Sequence, residues 1–140
     1  GGQGDNQQIQ IQKVVNTTFP VIFRHGDLDL AVTIRDAAFI HKNGKPFFDV
    51  TLEREGNRSL YGDVRIRWKG PNGSELLLNE TLGVALYTEM AYRNFTHRLR
   101  LPPNTDSIPS GTLIYTVHDH TDPANDRTGE LLARTEIRVP

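Results

Sequence analysis

The chain has 140 residues and a net charge of −1, and its basic and acidic residues are interspersed. A chain of this length is most simply one domain with a hydrophobic core of its own. The charge pattern offers no positive face for nucleic acid, and no apolar run is long enough to insert into a membrane. The absence of cysteine excludes disulfides, thiolate metal ligands and a cysteine nucleophile.

The first residues, GGQGDNQQ, are rich in Gly and Gln and lack a starting Met. Such a beginning is typical of a processed chain or of tag and linker residues. We therefore predict that residues 1–18 are an N-terminal tag or linker that can include a remnant of the last strand of a preceding domain. Residues 19–140 are predicted to form a single folded domain.

Period-two alternation of apolar and polar residues dominates the rest of the sequence, which predicts strands and almost no helix. Residues 30–34 and 48–52 alternate in this way on either side of HKNGKP. The Asn43-Gly44 pair in that connection favours the positive φ angles of a tight hairpin turn. We therefore predict a β-hairpin here.

The segment DVRIRW shows the clearest alternation. It predicts that Val64, Ile66 and Trp68 face the core, with Trp68 as an anchor, while the intervening polar residues face water. Those polar residues are Asp63, Arg65 and Arg67.

Further strands are predicted at residues 76–78, 95–101, 113–117 and 131–139, while residues 82–93 are interpreted as a strand plus a loop. Pro-, Asn- and Asp-rich loops separate them. About seven or eight antiparallel strands at this spacing indicate an all-β sandwich or barrel.

The segment FPVIFRHGD contains Arg24-His25-Gly26, a tripeptide that resembles the nucleophile strand of histidine phosphatases. Phosphohistidine chemistry also needs several cationic donors and a proton donor. Here DLDL follows and places two carboxylates where the phosphate should bind. Because those enzymes also resemble much larger α/β folds, we interpret the tripeptide as the end of a strand and the start of a turn, and we expect no catalytic residue.

The segment HDHTDPAND places two His and three Asp between residues 118 and 126. His118 and His120 could share a face toward a metal ion, with a carboxylate completing the ligand set. The alternative is a solvated loop between two strands, which we prefer, so no metal or other cofactor is predicted. The isolated His41 and His97 are expected at the surface or in satisfied strand positions.

Five Asn-x-Ser/Thr sequences are present, at Asn16, Asn57, Asn72, Asn79 and Asn94. In a secreted eukaryotic protein they would accept glycans. Since Asn, Ser and Thr are also ordinary turn residues, we favour bare side chains.

Four segments together resemble a protein family: VIFRHG, LEREGNRSLYGDVRIRW, LGVALYTE and GELLARTEIRVP. In order and spacing they are similar to the C-terminal domain of the PapD-like periplasmic chaperones that assemble fimbriae, or pili. The similarity covers most of residues 19–140. It implies an immunoglobulin-like β-sandwich, a periplasmic location and no catalytic activity.

The resemblance also implies partners, namely a pilin subunit and the outer-membrane usher. In that family a strand of the chaperone pairs with an unfinished subunit, and its alternate side chains fill the subunit's open groove. The residues here that match the end of the donor strand and the hinge are Ile9, Ile11, Phe19, Val21, Phe23 and Arg24. Equally, they could form an ordinary first strand of this domain.

The family holds the subunit's carboxylate with a Lys just before the hinge, where this chain has Pro20. The resemblance therefore does not imply that this chain binds the subunit's carboxylate in the same way. An apolar first strand could also pair with a neighbouring molecule, giving a strand-exchanged dimer. The alternative function is a fibronectin-like cell-surface adhesion or carbohydrate-contact module.

Overall fold

The fold was analysed in a computed structural model, which describes residues 9–12, 16–25, 28–103, 105, 107–120 and 129–140. These residues form an all-β, immunoglobulin-like sandwich, as predicted, and none of them lies in a helix. The described part of the chain therefore contains no helix that could cross a membrane. Its strands are β1 Ile9–Gln12, β2 Asn16–His25, β3 Leu28–Lys42, β4 Lys45–Glu55, β5 Leu60–Lys69, β6 Glu75–Leu86, β7 Tyr92–Arg98, β8 Gly111–Asp119 and β9 Leu131–Val139.

Two antiparallel sheets face each other. One contains three strands in the order β3-β4-β7, and the other contains four in the order β6-β5-β8-β9. The alternating apolar residues of both sheets meet between them and form one core, including Leu30, Phe48, Ile66, Leu113 and Ile137. Burying such side chains stabilises each by about 1.5 to 3 kcal/mol, which explains why the alternation specifies the strands.

The N-terminal strands close one side of the sandwich. Residues 16–20 of β2 pair with β9, and residues 21–25 pair with β3, so β2 passes from one sheet to the other. The change of partner falls at Pro20, and a proline cannot donate a backbone hydrogen bond to a ladder. β1 pairs with the far end of β3. The other side of the sandwich ends in β6 and β7.

The predicted hairpin is confirmed. Asn43 and Gly44 have φ angles of 54° and 77°, as the tight turn between β3 and β4 requires.

Trp68 is the core residue that the alternation predicted, and its Nε1 donates a 2.9 Å hydrogen bond to the Pro109 carbonyl. The polar end of the indole is thereby satisfied inside the protein.

Two details of the alternation were wrong. Residues 76–78 and 82–86 belong to one strand, β6. Two bulges interrupt the alternation along this strand. Leu78 is an extra residue with no partner on β5, and Leu82 and Gly83 together lie opposite Asp63. Asp63 does not face water but is only 5 % exposed. The bulge, with Gly83 at φ 74°, turns the Gly83 N–H to the Asp63 carboxylate at 3.0 Å.

Candidate functional site

The open side of the sandwich is a seam between the edge strands β6 and β7. β6 pairs with β5 in one sheet and β7 pairs with β4 in the other, while no described strand forms a ladder with the second edge of either. Sheet edges carry unpaired backbone donors and acceptors and are the places where another polypeptide can add a strand. The seam is therefore the surface of this fold most suited to binding an extended peptide.

The direction of the β7 backbone groups follows from its ladder with β4. Two hydrogen bonds bracket this ladder, from Arg54 N–H to Ala91 C=O and from Leu99 N–H to Pro46 C=O. Bonded residues alternate along an antiparallel strand, so every second residue of β7 turns its backbone groups toward the seam. These residues are Tyr92, Asn94, Thr96 and Arg98.

Two bonds connect β7 and its continuation to β6 at one end of the seam. The side-chain Nδ2 of Asn79 donates to Arg98 C=O at 2.8 Å, and Arg100 N–H donates to Leu78 C=O at 2.9 Å. Among the described residues, no hydrogen bond reaches the seam-facing backbone groups of Asn94 or Thr96. The middle of β7 is thus an open strand edge.

A groove lies beside this edge. Two of its pockets measure about 410 and 660 Å³. Val84, Phe95 and His97 line the smaller pocket where the core reaches the seam, and Leu82 of β6 is an exposed apolar residue on its rim. The groove therefore has both apolar and polar side chains in its lining and is bounded by a strand edge.

The charged residues of the groove are basic. Arg93 lies 4.8 Å above the Phe95 ring and donates to Ala85 C=O at 3.4 Å. Arg98 lines the same pocket, and Lys45 and Arg100 line the next one. Within the described part of the chain, no carboxylate lies within ion-pair distance of any of these four side chains. The seam therefore presents uncompensated positive charge.

His97 was predicted to occupy a surface or satisfied position, and the structure shows a satisfied one. The side chain is buried, and its Nε2 lies 3.0 Å from the Tyr115 hydroxyl. Burial lowers the pKa of His97 to about 4, although nearby Asp49 opposes the shift, and burial raises the pKa of Tyr115. Both groups are thus neutral near pH 7 and form part of the core beneath the groove.

The predicted partner-binding residues lie along the closed side of the sandwich, away from the β6–β7 seam. In β1 and β2 their backbones pair with strands of the same chain. The pairs are Ile9 with Lys42, Ile11 with Ile40, Phe19 with Arg134, Val21 with Val32, Phe23 with Leu30 and Arg24 with Asp29. Their role in binding a partner remains a prediction.

The two histidines of the segment HDHTDPAND have different surroundings. His120 Nδ1 donates to Asp63 at 2.7 Å, and its ring packs edge-on against Tyr61. His118 lies on β8, where burial, with Arg65 and Arg67, lowers its pKa. Asp122 and Asp126 fall outside the described residues, and the described residues contain no group of three metal-ligating side chains.

Four of the five Asn-x-Ser/Thr asparagines have described side chains, and each makes hydrogen bonds within the fold. Asn57 and Asn72 accept bonds in loops, whereas Asn79 and Asn94 lie in strands and donate through Nδ2. A glycan would replace one hydrogen of that nitrogen. These contacts are consistent with bare side chains at Asn79 and Asn94.

The comparisons with known proteins found no counterpart: no family model, no curated protein and no solved structure matches this chain.

Proposed function

We propose that this chain is the C-terminal domain of a periplasmic chaperone for pilus subunits, and that it contributes to subunit or usher binding by β-strand pairing without catalysing a reaction. The four sequence segments that resemble the PapD-like chaperones support this proposal. The observation that carries strand pairing is the edge of β7 that no described strand pairs with, beside a groove whose lining includes Val84 and Phe95. Strand addition needs that combination, because backbone bonds provide affinity and side-chain pockets provide specificity.

The N-terminal segment provides a direct test. As a donor strand it would place alternate apolar side chains, Ile9 and Ile11, in a subunit groove, and leave Gln10 and Gln12 outside it. We expect Ile9→Lys with Ile11→Lys to weaken binding of a fimbrial subunit encoded near the gene by about tenfold or more. The measurement is the Kd of the purified chain for that subunit, by biolayer interferometry.

Gln10→Lys with Gln12→Lys is the matched control, since it adds the same charge at the alternate positions. This control is expected to bind like the wild type. Equal affinity in all three proteins would show that the segment is only a first strand of this domain, and failure of the wild type to bind any such subunit would contradict the proposed function itself.

A second candidate function is surface adhesion through carbohydrate contact. Three exposed tyrosines, Tyr61, Tyr87 and Tyr92, lie at the same end of the sandwich. Exposed rings of this kind can pack on the apolar face of a sugar. That function predicts that Tyr87→Ala with Tyr92→Ala abolishes binding to a glycan array, whereas Tyr87→Phe with Tyr92→Phe retains it. A wild type that binds no sugar on the array would exclude this candidate.

A further inference from the structure

Extending the proposed function, on which this inference rests, we propose that the edge of β7 binds an extended, acidic segment of a partner protein as a fourth strand of the sheet β3-β4-β7. The added strand would lie in the seam and cover the groove between β6 and β7.

The division of strands between the two sheets leaves the edge of β7 without a partner strand among the described residues. In an immunoglobulin sandwich of constant type, one sheet contains the first, second, fifth and fourth strands of the domain, in that order. The fourth strand therefore pairs with the edge of the fifth. If β3 is taken as the first strand, the fifth is β7. The strand that would flank it, β6, pairs with β5 in the opposite sheet instead. A strand added beside β7 would therefore take the position that the fourth strand has in a constant-type domain.

The edge of β7 is better suited to strand addition than that of β6. β7 pairs with β4 over seven consecutive residues without a register shift. β6 is interrupted at Leu78 and at Leu82–Gly83, and such bulges are a means by which proteins prevent edge pairing. An incoming strand would bond to the backbone groups of Asn94 and Thr96, which face the seam.

The groove beside this edge suits apolar side chains on alternate positions of the added strand. Side chains that point between the two sheets would reach the pocket lined by Val84, Phe95 and His97. Because burial lowers the pKa of His97 to about 4, the imidazole in this pocket is neutral at pH 7.

The positive charges that line the groove favour binding of an acidic segment. Arg93 and Arg98 line one groove and are five positions apart, which corresponds to about 17 Å along a strand. A carboxylate near each end of the bound segment would meet these two cations, and the basic pocket with Lys45 and Arg100 continues in the same direction. β7 itself contains no acidic residue, so a second copy of this chain paired along β7 would bring like charges together.

The test uses two synthetic peptides of six residues, each of alternating Val and Thr, so that their two ends are five positions apart like Arg93 and Arg98. One has Asp at both ends and the other has Lys. We expect the Asp peptide to bind the wild type at least about tenfold more tightly than the Lys peptide, by fluorescence anisotropy, with a difference that shrinks at high salt. The double variant Arg93→Glu with Arg98→Glu is expected to prefer the Lys peptide.

A reversal of preference requires a folded groove, so a variant that merely failed to fold could not produce it. Backbone pairing is tested with two Asp peptides that are N-methylated at alternate residues. Only alternate N–H groups of an added strand bond to β7, so methylation of that set should abolish binding, and methylation of the other set should not. The proposal is overturned if neither peptide binds or if the wild type binds both equally well. It is also overturned if the double variant still prefers the Asp peptide, or if the two sets of methylated peptides bind equally. A concentration-dependent dimer that the double variant abolishes would assign this edge to a second copy and also overturn it.

The same double variant separates this proposal from the proposed function. If a fimbrial subunit binds the wild type and the double variant equally, the docking site is wrong while the proposed function remains. If no subunit binds but the peptide preference reverses as expected, the proposed function fails while the acidic-strand site at β7 is supported.

Discussion

Arg54→Met is expected to lower the free energy of unfolding by about 3 kcal/mol, which corresponds to a melting temperature roughly 10 °C lower. Arg54 is only 8 % exposed. Its guanidinium donates to backbone carbonyls of two loops at 2.7 to 3.3 Å. The acceptors are the carbonyls of Gly56, Arg58, Thr88 and Met90.

The Met side chain retains much of the apolar volume of Arg54 but leaves these carbonyls without their donor. The loss of four bonds from a buried guanidinium destabilises the folded state, because bonds to a charged donor contribute more than bonds between neutral groups. Arg54→Lys is expected to have an intermediate effect, since an ammonium offers fewer donors and lacks the planar fork. Chemical denaturation with urea at pH 7 measures all three proteins.

Arg35→Met is the matched control. Arg35 lies on β3, next to β4, is exposed and pairs with Glu53 at 2.7 Å. Exposed ion pairs contribute less than about 1 kcal/mol, so this variant should differ little from the wild type. An equal loss of stability in Arg35→Met and Arg54→Met would show that the buried hydrogen bonds of Arg54 do not stabilise the fold.

Arg54 also affects the candidate site. Thr88 and Met90 belong to the connection between β6 and β7, the two strands that border the seam. By bonding that connection to the β4–β5 loop, Arg54 holds the two edge strands in a fixed relation at one end. We therefore expect Arg54→Lys, where it still folds, to weaken binding of the acidic peptide.

Lowering the pH from 7 to 5 is expected to destabilise the protein through His97. Burial lowers the pKa of His97 from 6.5 to about 4 in the folded state. Well above pH 6.5, His97 is neutral in both the folded and the unfolded state, so its titration does not reduce the free energy of unfolding. Between pH 6.5 and 4 the unfolded chain binds a proton that the folded protein does not. By linkage, the free energy of unfolding therefore falls by about 2 kcal/mol at pH 5 and about 3 kcal/mol below pH 4.

Other acidic and basic groups also titrate in this range, so the informative quantity is the difference between the wild type and a variant. His97→Gln keeps a hydrogen-bonding group near the Tyr115 hydroxyl but cannot take up the proton. Urea denaturation at pH 7, 6 and 5 should show a pH dependence weaker than that of the wild type by about 2 kcal/mol in total.

Tyr115→Phe tests the cause of the shift. Because burial dominates the pKa of His97, the pH dependence should persist when the hydroxyl is removed. A midpoint near 6.5 for the His97 ring in an NMR titration of the wild type would contradict the assignment.

The sequence by itself determined the all-β class, the hairpin at Asn43-Gly44 and the inward side of most strands. These features depend on local physics: the two-residue repeat of a strand and the positive φ angles of a tight turn. Trp68 was identifiable for the same reason, since it continues the alternation of Val64 and Ile66.

Only the tertiary structure decided the burial of Asp63, the burial of His97 and the open edge of β7. Asp63 is buried where a bulge in the neighbouring strand presents Gly83 N–H to it, and Gly83 lies 20 residues further along the chain. His97 is buried because β7 pairs with β4, which places it opposite Phe48. Which edges remain unpaired depends on how distant strands divide between two sheets, and alternation along one strand carries no information about its partner.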